Sequence, residues 1–430
     1  MSAALLGFAV VLALAFLGVP LCFAMLSVGV GLFAALRGLH PALMMAGQTI
    51  SDLATNEGLS VLPMFILMGA LIYKSELADE LYDAAYALVG HKRGGLAYAT
   101  VLASAGFASI SGSSIATAAT MTKVAMPSMR RLRYDDSLAS GCVSSAGTLG
   151  ALVPPSVPLL IYGIVTQQDI AKLFVAGILP GLLLGTLFMV SIWWTVSRNP
   201  ALGPAGPQLG WPERLRRISK VWPIVLLFLT VMGGLYSGVF TANEAGGVGA
   251  AGATLFAAAR GKLRWSVLVD SLCEAGRTTA MIFAVAFGGM VFANFVTLSG
   301  LTGSLVALVS GLHLPVTGLI VVIMLIYVVL GSMMEAISMM LLTVPVFAAV
   351  LGPLGVSMLW FGVFVAMMIE IGMIHPPIGM NVFMVKTMMP ELSTRTIFAG
   401  TIPFLVANFV ALGLIIAFPM LATWLPAFTR

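Results

Sequence analysis

Charge is scarce in this chain. Only 9% of its 430 residues are Asp, Glu, Lys or Arg, against roughly 25% in soluble domains, while 60% are hydrophobic and the mean hydropathy is +1.07. A soluble globular domain is thereby excluded. Cysteine is scarcer still: Cys22, Cys142 and Cys273 lie scattered in or beside apolar segments, which fits neither a disulfide framework nor a metal cluster and reads as inert buried thiols. The apolar stretches hold neither an H-E-x-x-H helix nor paired aspartates, which argues against an intramembrane enzyme. Lys and Glu are too few in neighbouring apolar segments for a proton-translocating subunit of a respiratory complex. Ten-residue alternating strands are missing as well, excluding an outer-membrane barrel. The net charge of +5 resides in short basic loops, where topology explains it better than nucleic-acid binding.

What remains is a succession of apolar runs of about 17 to 25 residues, the length that crosses a hydrocarbon core of about 30 Å as a helix, so membrane lipid is the solvent. The first run lacks a basic leader and a small-residue cleavage site and is expected to be a retained span. Residues 3–36 carry Gly18-Val19-Pro20 in the middle and read as one kinked helix or two short ones, the second preferred. Residues 41–56 suit an interfacial helix, and Leu59 to Tyr73 a span. Lys74 to Arg93, with Glu76, Asp79, Glu80, Asp83, Lys92 and Arg93, belongs in water or headgroups. Two apolar stretches are then interrupted where lipid would least allow it, at Ser111-Gly112-Ser113-Ser114 (about 95–128) and at Gly331-Ser332-Met333-Met334-Glu335 (about 314–351). Irregular backbone at membrane depth survives only inside protein or along a cavity. Two further runs, about 137–166 and 358–389, are broken at Pro154-Pro155-Ser156 and at His375-Pro376-Pro377. Residues 171–197 read as an unbroken helix.

The order of parts repeats: interfacial helix, span, broken hairpin, turn, Pro-Pro-broken span, unbroken helix. Residues 1–197 form one repeat and 221–430 the other, joined by a Pro- and Gly-rich linker, 198–220, whose Arg198, Arg214, Arg216, Arg217 and Lys220 place it in the cytoplasm. The second repeat has its own amphipathic arm at about 264–276. An odd number of crossings separates the hairpins, so the first enters from the cytoplasm and the second from the opposite side. The expected fold is an all-α polytopic membrane protein with two inverted-topology repeats, the architecture of many secondary transporters.

The breaks also suggest chemistry. Pro154, Pro155, Pro376 and Pro377 remove N–H donors and stop helix continuation, leaving carbonyls free for a cation. Serine hydroxyls complete a hard-oxygen cage of the kind that replaces an ion's hydration shell. Facing helix N-termini favour an anionic group.

Gly106-Phe-Ala-Ser-Ile-Ser-Gly-Ser-Ser-Ile-Ala-Thr, Met126-Pro127, Leu149-Gly-Ala-Leu-Val-Pro-Pro-Ser156, Leu173-Phe-Val-Ala-Gly177, Gly238-Val-Phe-Thr-Ala-Asn-Glu-Ala245 and Pro376-Pro377-Ile-Gly379-Met-Asn381 together resemble the large membrane subunit of tripartite ATP-independent periplasmic (TRAP) transporters over essentially the whole chain. The resemblance implies sodium-coupled import of an organic anion, such as a C4-dicarboxylate, a sugar acid (sialic acid among them) or a 2-oxo acid, across the bacterial inner membrane. An elevator-type transport domain would move against a scaffold. No cofactor beyond Na⁺ is implied. Two partners are: a small four-helix membrane subunit and a periplasmic substrate-binding protein. With no extra N-terminal helices the chain resembles the unfused form. Carried onto this sequence, the hairpin tips are Ser111, Gly112, Ser113, Ser114, Gly331 and Ser332, with sodium expected at Ser111, Ser113, Ser114, Gly331 and Ser332. The unwound loops are Pro154, Pro155, Ser156, Pro376, Pro377 and Gly379.

Other residues carry two readings each. Lys123, where the family pattern has a small residue, either pairs with the substrate carboxylate or snorkels to the cytoplasmic interface. Glu335 is a cavity-facing cation or proton site or a helix-start carboxylate. Glu244 is expected to cap a helix. Glu370 sits in an apolar run about four turns from Lys386, too far to pair along one helix, and a structural hydrogen bond is slightly favoured for it. His375 is a gate or substrate contact but no metal site alone. Asn381 offers a ligand oxygen or an interhelical hydrogen bond, and Met333-Met334 and Met339-Met340 are packing. A binding-protein-independent divalent-anion symporter of similar fold is the rival function.

Overall fold

A computed structural model describes residues 2–75, 77–311 and 315–429. Glu76 and Leu314, the latter the expected start of the second hairpin, lie outside the described residues. Among the described residues the regular elements are helices, with no strands.

The chain opens with α1 (Ser2–Phe16) and α2 (Leu21–Arg37). Between them Gly18 adopts φ +83, open to a residue without Cβ. The two helices fold back on each other: a Cβ on Gly7 would stand 3.2 Å from Leu32 Cδ1. Residues 3–36 are therefore two helices and not one. Next, α3 (Leu39–Ala54) buries Ala42, Ala46, Thr49 and Leu53, one stripe at helical spacing. Asn56 caps a short 3₁₀ turn by accepting from the Gly58 N–H at 2.9 Å, and α4 (Val61–Lys74) follows.

Then come α5 (Leu77–Val89), α6 (Gly95–Ser111), α7 (Ser114–Arg131), α8 (Asp136–Ala146), α9 (Val157–Thr166) and α10 (Ile170–Arg198). The expected linker is neither loose nor wholly irregular. It contains α11 (Trp211–Ser219), where Glu213 pairs with Arg217 at 2.8 Å and with Arg216 at 2.7 Å. Backbone bonds from Gly206 to Gly90 and from Gly94 to Gly203 strap the linker to the loop after α5.

In the second half α12 (Trp222–Tyr236) and α13 (Ala242–Ala259) are followed by α14 (Trp265–Leu298). The amphipathic segment expected as a separate arm at about 264–276 is instead the first third of this single 34-residue helix. No proline or capping turn interrupts it, whereas Thr55-Asn56 end α3 in the first half. Thr241 and Glu244 form the expected capping box at the start of α13. The remaining helices are α15 (Leu301–Gly311), α16 (Val316–Gly331), α17 (Ala336–Leu351), α18 (Met358–Ile374), α19 (Met380–Met388) and α20 (Thr394–Ala417).

Packing sorts these helices into two groups. In one, α14 carries α1, α2, α3, α4 and, through α4, α13. Phe8 meets Phe292 edge to face at 5.1 Å, Asn294 donates to Thr49 Oγ1 at 2.8 Å, and Asn243 of α13 donates to the Glu57 carbonyl at 3.0 Å. In the other, α6 to α10 interleave with α17 to α20. Their closest approach is α8 on α20, where a Cβ on Gly141 would lie 2.1 Å from the Gly400 carbonyl carbon, and one on Gly400 would lie 1.8 Å from the Ser137 oxygen. The α7 end is tied to the α19–α20 turn by Arg130, which pairs with Asp136 at 3.2 Å and with Glu391 at 2.5 Å. A hydrogen bond from its own backbone amide, then the Arg130 guanidinium, hold the Glu391 carboxyl below its ordinary range.

Among the described residues, four helical stretches are long and apolar enough to cross a membrane unaided: Glu57–Lys74, Ile170–Arg198, Trp265–Leu298 and Thr394–Ala417. The shorter apolar helices include α6, α9, α16, α17 and α18, the pieces on either side of the breaks. Two of the three cysteines depart from expectation: Cys142 is buried, but Cys22 is only partly buried and Cys273, on α14, is exposed. Replacing Gly400 with Val should force α20 off α8 and cost at least about 1–3 kcal/mol. The expected readout is a lowered unfolding temperature in detergent, and an unchanged one would refute this contact.

Candidate functional site

The first break is a two-residue reversal. α6 ends at Ser111, Gly112 takes φ +58, and extended Ser113 starts α7 by accepting from the Ala116 N–H at 3.3 Å. The first Pro-Pro break lies against it. After α8 a 3₁₀ turn, Gly147–Ala151, leads to Pro154 and Pro155, joined by a cis peptide bond. Ser156 then caps α9, accepting from Leu159 N–H at 3.3 Å and donating to the Ala151 carbonyl. The Val157 N–H donates to the Gly112 carbonyl at 3.2 Å. A Cβ on Gly112 would stand 2.5 Å from the Pro155 oxygen. Backbone groups freed by one break are thus satisfied partly by the other, as burial away from water requires.

The second pair of breaks meets differently. Ser332 ends α16, its hydroxyl returning to the Val329 carbonyl at 2.7 Å. Glu335 caps α17, accepting from Ser338 N–H at 3.0 Å and from Ser338 Oγ at 3.2 Å. The turn rests on α18, ahead of that helix's break: a Cβ on Gly372 would lie 2.6 Å from the Gly331 oxygen. His375 is extended, Pro376 and Pro377 share a cis bond, and Gly379 at φ +58 begins α19. Pro154 and Pro155 are buried, whereas Pro376 and Pro377 are exposed.

Between the two helix groups lies a cavity of about 460 Å³. Ser111, Gly112, Ser113 and Ser114 form one wall, Glu335 and Glu370 another, and residues of α4 and α14 close it. Of the residues expected at the site, only the first tip and Glu335 are in the wall. Gly331, Ser332, Pro154, Pro155, Ser156, Pro376, Pro377, Gly379, Asn381, His375 and Lys123 stand behind or away from it. Asn381 donates to the Ser144 carbonyl at 3.1 Å, an interhelical bond. Lys123 is exposed on α7, one turn past the wall residue Thr120. Met334, Met339 and Met340 are buried packing as expected, whereas Met333 is exposed. The wall residue given too little weight in the sequence is Glu370, 1% exposed, which accepts a hydrogen bond from Ser114 Oγ. Its signal was an ionisable group in an apolar run.

The lining is mostly apolar, and its oxygen is concentrated in three serine hydroxyls, Thr120, Thr278 and the carboxylates of Glu274, Glu335 and Glu370, with no Lys or Arg. Glu274 is paired outward with Lys74 at 2.9 Å. Such donors fit a small hard cation at Ser111, Ser113 and Ser114. Ser332 fits less directly, since its hydroxyl is engaged by its own helix.

Residues 8–421 match the family described as tripartite ATP-independent periplasmic transporter, DctM component. This chain is a TRAP transporter large permease. It is 34% identical over 399 residues to the C4-dicarboxylate TRAP transporter large permease protein DctM of Pseudomonas aeruginosa, covering 91% of this chain and 93% of that one. It is 30% identical over 420 residues to the sialic acid TRAP transporter large permease protein SiaM of Vibrio cholerae, covering 96% of each. In fold the permease is similar to the YdaH transporter of Alcanivorax borkumensis, with a TM-score of 0.61 over 90% of both chains at 16% identity. It is a multi-pass membrane transporter and not an enzyme.

In the permease, Gly112→Ala should place a side chain in the left-handed region, at about 1–2 kcal/mol, and drive it into Pro155. Uptake is expected to fall more than tenfold in membranes that still contain the protein, and uptake within twofold of normal would refute the close contact. Lys123→Ala, outside the wall, should leave uptake within about twofold. A loss comparable to that of Gly112→Ala would reinstate Lys123 as a substrate contact.

Proposed function

We propose that the permease imports a small organic anion across the bacterial inner membrane, coupled to sodium, by an elevator movement. The carrying observation is the cavity that the Ser111–Ser114 turn shares with Glu335 and Glu370, set between two groups of helices that meet where α14 packs on α17 and α4 on α6. In this reading α6 to α10 with α17 to α20 move as the transport body, and α1 to α4 with α12 to α14 are the scaffold. The two turns are re-entrant tips of inverted repeats, bringing their helix N-termini to the membrane midplane from opposite sides. Small-residue contacts between the bodies support a sliding interface: Gly69 faces Ser111, and Gly289 faces Leu341.

Sodium binds at the first tip, on Ser111, Ser113 and Ser114, with Gly331 and Ser332 supporting a second position. The N-termini of α7 and α17 and the bound cations offer positive potential to a carboxylate. The cavity volume is in the range that holds a small molecule. The relatives' names, one for C4-dicarboxylates and one for sialic acid, frame the substrate class. A four-helix membrane subunit flanks the scaffold, and a periplasmic binding protein selects and delivers the substrate. Basic residues at 91–93, 130–133, 198–220 and 260–264 orient those loops to the cytoplasm.

Reconstitution in proteoliposomes with the two partner proteins and radiolabelled C4-dicarboxylates, sugar acids and 2-oxo acids tests this. Uptake is expected only with an inward sodium gradient and only with the binding protein present. Uptake indifferent to sodium would overturn the coupling, and uptake without a binding protein would favour the divalent-anion symporter type.

A further inference from the structure

Glu370 has figured so far only as part of the cavity wall, yet it is the most deeply buried ionisable group there. It lies on α18 among Met367, Met368, Ile369 and Ile371, all buried, and its side chain reaches the cavity wall. One carboxylate oxygen accepts from Ser114 Oγ of the first turn, 256 residues away in sequence. The other, Oε2, is buried with no hydrogen-bond partner. No Lys or Arg shares the wall, and the nearby Lys74 is engaged by Glu274. A buried carboxylate left without a positive partner is costly at membrane depth, and the first-turn amides of α7 compensate only weakly.

We propose that Glu370 makes the sodium site at the first tip anionic, its free Oε2 joining the Ser114 hydroxyl as a ligand. The cation is held by the free Oε2 of Glu370 and the Ser114 hydroxyl oxygen. One carboxylate and one hydroxyl suit a monovalent ion better than a divalent one, which collects several carboxylates. The placement gives the site a second consequence. Ser114 opens α7 in the first half, and Glu370 lies two residues before Gly372, against which the second turn rests. A cation there bridges the two halves of the transport body and supplies a positive charge in an otherwise acidic wall, next to which a substrate carboxylate can sit. The site rests on sodium coupling as proposed above.

The test reads binding, not transport. The permease is purified in detergent with its small membrane subunit and no substrate, and thermal unfolding is followed as NaCl replaces choline chloride at constant ionic strength. Wild type is expected to be stabilised by sodium and not by potassium. Glu370→Gln, which keeps an acceptor for Ser114 Oγ but loses the charge, should raise the half-saturating sodium concentration at least tenfold. Glu370→Asp, which keeps the charge but withdraws it by one methylene from Ser114, should raise it about threefold and serves if the Gln variant fails to fold. A sodium-stabilised wild type whose variants titrate identically to it would overturn this site while leaving sodium coupling intact. A wild type indifferent to sodium would overturn the coupling itself. Stabilisation by methylammonium in place of sodium, abolished in Glu370→Gln, would assign the carboxylate to a cationic group on the substrate and overturn the proposal.

Discussion

A helix interrupted inside a membrane frees N–H and C=O groups that lipid cannot satisfy, so every break must be met by protein. This permease has four helix breaks, and the way each is met organises everything around it. The first turn and the first Pro-Pro segment meet each other: the Gly112 carbonyl takes the Val157 N–H, Ser113 and Ser156 cap the helices that restart, and the Gly112 backbone packs directly against Pro155. That mutual fit demands the absence of a side chain at 112 and supplies the rigid floor of the cavity. Three serine side chains are then left at the surface of a cavity instead of in lipid.

The second pair of breaks obeys the same requirement by another route. Its turn rests on Gly372 of α18 through Gly331, and the cap is a carboxylate, Glu335, where the first turn uses a hydroxyl. The two turns are therefore alike in restarting a helix from a side-chain cap and unlike in chemistry. One tip is neutral. The other places a negative charge at a helix N-terminus, where the dipole favours it. Glu370 adds a further carboxylate from the helix beneath, so the cavity is acidic on one side and hydroxyl-lined on the other.

Much of this was legible from composition and local chemistry. Membrane class, helical fold, the positions of all four breaks and the Thr241–Glu244 capping box depend on residues close in sequence, because proline, glycine and capping side chains act on their own backbone. The places where expectation and structure part are instructive. The arm at 264–276 runs straight on into its span, since nothing in that stretch stops a helix. The linker proved to be strapped down, because its few backbone partners lie more than a hundred residues upstream, at Gly90 and Gly94. Cys273 faces outward, because a helix with one face packed on a partner must leave the other face free.

The sequence by itself determined where the backbone breaks and which oxygen-bearing residues stand at each break, since those are properties of short segments. Only the tertiary structure decided which of those oxygens face a common space. Ser111 to Ser114 and Glu335 reach the cavity, while Ser156 and Ser332 donate to the nearby Ala151 and Val329 carbonyls and Asn381 to the Ser144 carbonyl of α8. It also decided that Glu370 belongs to the site. The contact with Ser114 joins residues from opposite halves of the chain and exists because α7 and α18 both pack on α19 and on the 3₁₀ turn at 147–151, a consequence of burying helix faces that no local pattern encodes.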